Sequence, residues 1–392
     1  MIKSKTMRRT VFVLIISALI SCKNNSKENT SGVKESISTI EVVVSQNDLQ
    51  IANKNGEPNY IFLEQRDDKN SAIADISKLI YFDDKIIILD KQSNKVFLFD
   101  NSGNFISEIG RAGKGPGEFL RVSDILISKP DSCIELLDAG SQKILRMDKQ
   151  FNYFTSINLP FFCQNFHKSI QGEYWFFTNN QANTSKDTKE SFNIIKADEN
   201  VENLSFFIPI QEHMKDLVIA TPYSFTNSVN ASIFALPLEN TLYSIHNDTV
   251  TRKYVIDFGE NNLPLKYFEP LKKIETTNFP ERFNILNQIN KTDYAYMIHS
   301  VFETDHHVYF QFQRDKKVYG TLLNKDDWQY KTGIIPPLFG QPVYFTNNQI
   351  STVIYPHNLS GVASDSSKGE LELLLSKVRE NDNPIIKQIM IE

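Results

Sequence analysis

Cysteine is nearly missing from this 392-residue chain, which has only Cys22, Cys133 and Cys163. No two have C-x-x-C spacing and none joins a Cys/His cluster, so no motif points to a metal site and no disulfide framework is required. An oxidising compartment would permit a Cys133–Cys163 bridge, and the pairing stays open at this stage. The seven histidines are scattered. His306 and His307 are adjacent, and neighbouring strand residues point to opposite faces, which denies them a common ion. No G-x-S-x-G occurs, so the usual nucleophile elbow is absent. Basic excess is lacking as well: 42 Lys+Arg against 47 Asp+Glu give −5. With no basic-aromatic stripe either, nucleic acid is excluded as a partner. Beyond the first 22 residues no apolar run nears the ~20 residues of a membrane span. Glycine and proline stand at only 15 each, whereas Phe (28) and Tyr (15) are abundant. Aromatic and β-branched richness favours strands.

The N-terminus carries an address. Lys3, Lys5, Arg8 and Arg9 precede the apolar run Val11–Ile20, the pattern of a signal peptide. The run ends in Leu19-Ile20-Ser21-Cys22, which resembles the bacterial lipobox. That resemblance implies that residues 1–21 are removed and that Cys22 carries the lipid, palmitate included. Removing residues 1–21 takes away four positive charges, moving the net charge from −5 to −5 − 4 = −9. "KNNSKENTSG" then begins a flexible polar tether over 22–39. Lys23 after the acylated cysteine opposes retention at the inner membrane. The expectation is an outer-membrane lipoprotein, facing the periplasm or the surface, whose membrane contact is the N-terminal lipid.

Residues 40–392 contain a repeat. "IIILDKQSNKVFLFDNSGNFISEI" (86–109) lies over "IELLDAGSQKILRMDKQFNYFTSI" (134–157) at a constant offset of 48, with Asp90 on Asp138 and Asp100 on Asp148. Each copy reads as strand, Asp-led turn, strand, Asp-led turn, strand, since an Asp side chain can bond the backbone two residues on. Weaker copies follow at 172–210, 232–259 and 306–334. A sixth is expected from 342–356 and the C-terminal "NPIIKQIMIE", helped by N-terminal strands near Glu41–Val44 and Tyr60–Leu63. Small antiparallel sheets repeated every 40–50 residues make a β-propeller. Two stretches have helical spacing instead. One is 263–289, with Phe268, Leu271, Ile274, Phe283, Leu286 and Ile289. The other is 366–382, with Leu371, Leu374, Leu375 and Val378.

"GRAGKGPGEF" (110–119) superficially suggests a phosphate loop. Pro116 and Gly117 stand where a Walker loop needs Lys and Ser/Thr, and a β-like run follows where a dinucleotide fingerprint needs a helix. The stretch reads as an inter-blade corner turning near the central axis. Arg111, Lys114 and the successive glycine N–H groups could also form an anion-binding nest. "IGRAGKGPGEF" is similar to the inter-blade motif of the six-bladed β-propeller lipoproteins of Bacteroidetes-type bacteria, relatives of NHL-repeat propellers. "YIFLEQ" (60–65), "YVIDFGENNLP" (254–264) and "DNPIIKQIMI" (382–391) resemble that family's opening, later and closing segments. The glycine-rich motif appears here only once.

The expected fold is all-β, a six-bladed β-propeller with short helical insertions. The expected function is non-enzymatic: a cell-envelope binding or scaffold module for a glycan, peptide or protein partner, with no cofactor. The alternative is a propeller hydrolase or lyase, lactonase-like, with a metal or acid–base site in the central channel; its catalytic residues are unknown. A third reading docks a partner on the helical insertions. Trp175 and Trp328 are read as core before sugar platform, and Asp67-Asp68, Asp83-Asp84 and Asp326-Asp327 as solvated turns.

Overall fold

The apolar runs form strands covered on both faces, which explains why they lack the polar alternation of a half-exposed sheet. The computed structural model describes residues 33–391 apart from 55, 184–189, 220–222, 224, 228–231, 247 and 363–367. Strands β1 (Lys34–Glu41) and β2 (Asn59–Phe62) come first. Blade one is β3 (Lys78–Phe82), β4 (Lys85–Asp90), β5 (Lys95–Asp100) and β6 (Phe105–Glu108). A two-residue pair, β7 (Arg111–Ala112) and β8 (Glu118–Phe119), links it to blade two. Blade two is β9 (Val122–Ser128), β10 (Cys133–Asp138), β11 (Lys143–Met147) and β12 (Tyr153–Asn158). Blade three is β13 (Asn165–Lys168), β14 (Tyr174–Phe177), β15 (Phe192–Ala197) and β16 (Ser205–Pro209). Blade four is β17 (Phe225–Asn227), β18 (Ser232–Ala235), β19 (Thr241–His246) and β20 (Thr249–Asp257). Blade five is β21 (Tyr296–Glu303), β22 (His307–Arg314), β23 (Lys317–Asn324) and β24 (Tyr330–Ile334). Blade six is β25 (Gln341–Phe345), β26 (Gln349–Ile354) and β27 (Ile385–Met390), completed by β2.

Six apolar interfaces close the circle. Within β4, Ile87 and Leu89 face Ile125, Ile134 and Leu136 of blade two, while Ile86 and Ile88 face Val343, Val353 and Ile386 of blade six. Aromatic residues fill the next two joints: Phe166, Tyr174 and Phe176 against blade two, then Trp175 and Phe177 against Phe225 and Phe234 of blade four. Blades four to five and five to six close on Ile256 with Phe312, and on Tyr309 with Ile389. At ~25 cal/mol per Å² of buried apolar surface, such faces are the main stabilising term, and a blade without neighbours would lose it.

The chain's N-terminal segment runs as a belt along three blade edges. β1 pairs in parallel with β20 on blade four, so residues 34–39, expected in the tether, are strand, and the strand near Glu41–Val44 does not serve the sixth blade. Leu49 N–H donates to Ile334 O (2.7 Å) and Ile334 N–H to Asn47 O (2.9 Å) on blade five. Lys54 N–H donates to Met390 O (2.8 Å) on blade six, where β2 then pairs with β27. As expected, Tyr60–Leu63 supplies the closing strand. Blade edges attract foreign strands, and the belt covers three of them. It needs Gly333, where a Cβ would lie 2.5 Å from Asn47 O.

The repeated aspartates serve as turn caps. Asp90 Oδ1 accepts from Gln92 and Ser93 N–H, and Asp138 Oδ1 from Gly140 and Ser141 N–H. Asp100, Asp148 and Asp198 cap the second corners by accepting from Asn104, Asn152 and Glu202 N–H.

The helical insertions are shorter than expected. Residues 263–289 form two 3-10 turns and α1 (Phe279–Ile289), which buries Arg282, Ile285 and Ile289 and leaves Phe283 exposed. The expected face was therefore rotated: only Leu271 and Ile289 of the expected set are fully buried. α2 (Lys368–Lys377) packs Leu371 and Leu374 onto Ile354 and Ile385 of blade six, while Leu375 points to solvent.

Candidate functional site

The first strands of neighbouring blades approach one another around the axis and enclose a channel of about 490 Å³. All six first strands line it. Its wall is aromatic on one side: Tyr81 meets Tyr344 edge-on (4.8 Å between ring centroids), and Phe302 stacks on Phe345 (5.5 Å) and touches Tyr223. Inner-strand side chains alternate between the two faces of each blade, so rings from both flanks reach the axis, as the adjacent Tyr344 and Phe345 do.

Polar groups collect where the inner strands begin. Lys78 Nζ contacts Asp124 Oδ1 at 2.7 Å, and Asp124 Oδ2 accepts from Phe166 N–H (3.1 Å) and Asn165 Nδ2 (3.3 Å). Asp75 is equally committed, accepting from Ser77 Oγ–H (2.6 Å) and Tyr355 O–H (2.8 Å). Tyr223 O–H crosses to Ile76 O (3.3 Å). His167 lines the channel, and burial, helped by the Lys78 charge, pushes its pKa down to about 4. The imidazole is therefore neutral at pH 7.

At the other end, between blades two and three, lies an ionic knot that sequence reasoning missed. Asp131, Cys133 and Glu135 bring their donor atoms within 4.8 Å of one another, a spacing open to a metal ion. Two cations already hold them. Lys168 pairs with Asp131 and with Glu135 (3.2 Å), and Arg146 with Asp131 (2.9 Å) and Glu135 (3.1 Å). Tyr174 O–H adds a 2.9 Å bond to Glu135 Oε1. Burial would raise the Asp131 pKa, but Lys168 and Ser128 bonds bring it below the usual carboxylate value. Burial and Glu135 raise that of Cys133. The donor set fits a salt-bridge network, because a metal would have to displace both cations. Residues i and i+2 on a strand share a face, so Cys133 and Glu135 on β10 were a readable pair; Asp131, in the turn before it, and the cations 11 and 33 positions from Glu135 were not.

Other expected groups lie elsewhere. In the glycine-rich corner Glu118 enters the nest: its carboxylate accepts from Gly115 N–H (2.7 Å) and Arg111 Nε (2.6 Å), and neither Arg111 nor Lys114 lines the channel. Gly110 and Gly117 take positive φ there (66° and 76°). Their neighbours are Phe119, Met147 and Tyr153, residues of the next blade's outer strands and approach, so the corner turns away from the axis, where it was expected. His306 bonds Asp326 at the surface, whereas His307 is buried. Cys133 and Cys163 are free buried thiols. Trp175 is core and Trp328 half-exposed. The Cys22 expectation lies outside the described residues.

A family described as "Domain of unknown function (DUF4934)" matches residues 37–388. An exported protein from Bacteroides fragilis superposes with a TM-score of 0.72 at 18% identity, covering 91% of this chain and all of the other. A DUF4221 family member from Bacteroides vulgatus superposes at 0.51 with 10% identity, covering 88% of this chain and 99% of the other. At these identities the likeness is one of fold. No curated protein matches the sequence.

Proposed function

The chain belongs to the DUF4934 family, and on that premise we propose that it is a lipid-anchored envelope protein holding a ligand, such as a glycan or a peptide, in its axial channel. The observation that carries the reading is the channel itself: about 490 Å³, walled in part by aromatic rings, with Asp124 the one carboxylate among the described residues of its lining. Pockets of this size with few polar groups are the usual form of small-ligand sites. Asp124 favours binding over hydrolysis or lyase chemistry, because Lys78 and the Phe166 N–H already take its two oxygens. No helix among the described residues is long and apolar enough to cross a membrane. The membrane link in this reading is acylation of Cys22, in line with the lipobox-like "LISC" and with export to the outer membrane.

Two measurements test it. Cys22→Ser should move the protein from the membrane fraction to the soluble one, and unchanged fractionation would remove the anchor. A calorimetric screen of glycans and peptides should find a ligand whose affinity drops about tenfold in Phe345→Ala, the loss of one stacking wall. A ligand indifferent to Phe345 and to Ile170→Trp, at the channel's exposed rim, would place binding elsewhere.

A further inference from the structure

Lys91 is a channel cation that no described residue compensates. Lys91, in the turn after β4, lines the channel at the end where the inner strands begin. Its backbone N–H is bound to Ser77 Oγ (3.2 Å), which fixes the turn. Among the described residues its ammonium has no hydrogen-bond or ion-pair partner. The carboxylates within electrostatic reach are Asp124 and Asp75, and both are taken: Asp124 by Lys78, Asn165 and Phe166 N–H, Asp75 by Ser77 and Tyr355. The Lys78 charge repels it further. Lys91 keeps surface open to the channel, yet the surrounding protein still holds its pKa below the ordinary lysine value.

A channel cation with no internal counter-ion is free to make a charge-assisted hydrogen bond to an arriving anion. The same channel is lined further along by the rings of Tyr81, Tyr223, Phe302, Tyr344 and Phe345, which favour an apolar or planar body. The whole protein is acidic, so the preference for an anion is local to this channel. Lys168, at the other end, is spent on Asp131 and Glu135. Lys129, at that other end, is likewise exposed and has no partner among the described residues, so the test below sets it against Lys91.

We infer that the channel takes an apolar or aromatic molecule bearing one acidic group, with the acid on Lys91 and the body against the Tyr81–Tyr344 and Phe302–Phe345 rings. The inference rests on the channel-binding reading above and narrows its ligand class.

Two dyes with one ring system separate the terms: 1-anilinonaphthalene-8-sulfonate, which is anionic, and N-phenyl-1-naphthylamine, which is neutral. Fluorescence titration of the folded full-length chain should show tighter binding of the sulfonate. Lys91→Gln should weaken the sulfonate by about fivefold to tenfold and leave the neutral dye unchanged. Lys91→Arg should retain the sulfonate, and Lys129→Gln should leave both dyes alone. Equal loss of both dyes in Lys91→Gln, no loss of either, or a loss that follows Lys129 instead would overturn the assignment. Phe345→Ala and Ile170→Trp keep the two readings apart. If these weaken both dyes while Lys91→Gln has no selective effect, the channel stands and the anion falls. If they affect neither dye, both fall.

Discussion

Lys78 of the first blade and Asp124 of the second are joined at 2.7 Å inside the channel, with the carboxylate almost fully buried. Through Asn165 and Phe166 the same carboxylate also grips the third blade. Removing one member of a buried pair leaves an uncompensated charge, which costs about 3–5 kcal/mol. Asp124→Ala should therefore lower the urea midpoint by that equivalent, and Lys78→Met/Asp124→Leu should recover part of it. A loss below ~1 kcal/mol would show that the pair does not bind the blades together.

Glu135 and Lys168 allow the same experiment at the opposite end. Glu135 is fully buried, with Lys168, Arg146 and Tyr174 all on Oε1. Glu135→Leu leaves Lys168 and Arg146 to share the partly exposed Asp131 and should cost up to about 3 kcal/mol. Adding Lys168→Met should restore a measurable fraction, a non-additivity expected of contacting residues. Strict additivity in chemical denaturation would count against the network.

His299, buried on β21 with its Nδ1 3.0 Å from Ser300 Oγ, has its pKa lowered to about 4 by burial. Unfolded, it titrates near 6.5. Between these values the unfolded chain binds more protons, so this contribution is complete above pH 6.5 and is lost as pH falls toward 4. It amounts to about 2–3 kcal/mol by pH 4.5. His167 acts in the same direction. His299→Gln should flatten the acid limb of a stability–pH curve; a curve of unchanged slope would place the titrating group elsewhere.

Much of the ring was legible because its signals are local. The Asp-led corners at offset 48 mark real caps, and "YIFLEQ" does contain the closing strand β2. The channel was illegible because its lining comes from six blades, and nothing near Lys91 in sequence says that Asp124 and Asp75 are already occupied. The helical faces were misjudged for a related reason. Spacing finds a stripe, but the stripe used by α1 is set by Leu217 and Tyr296, which pack on it from other parts of the chain.

Gly333 is the tightest point of the belt. A methyl group there would meet Asn47 O at 2.5 Å and Leu49 N at 2.6 Å, all backbone atoms. Gly333→Ala should cost about 1–3 kcal/mol, as overpacking does, and should expose residues 45–54 to limited proteolysis. Gly361→Ala, with open space around its added carbon, is the control. Equal melting temperatures for the two variants would mean that the belt yields without cost.

The clasp between 59–62 and 385–388 also sets a timetable. Its partners are more than 320 positions apart in sequence, among the longest separations that this chain contains. Contacts so remote carry a large loop-closure penalty and form late. While the polypeptide is still emerging, five sheets can assemble against one another but the circle stays open, with the inner flank of the first and the bare edge of the last both unprotected. Truncation by even the final ten residues would freeze the molecule in that state, prone to join a second copy instead of itself.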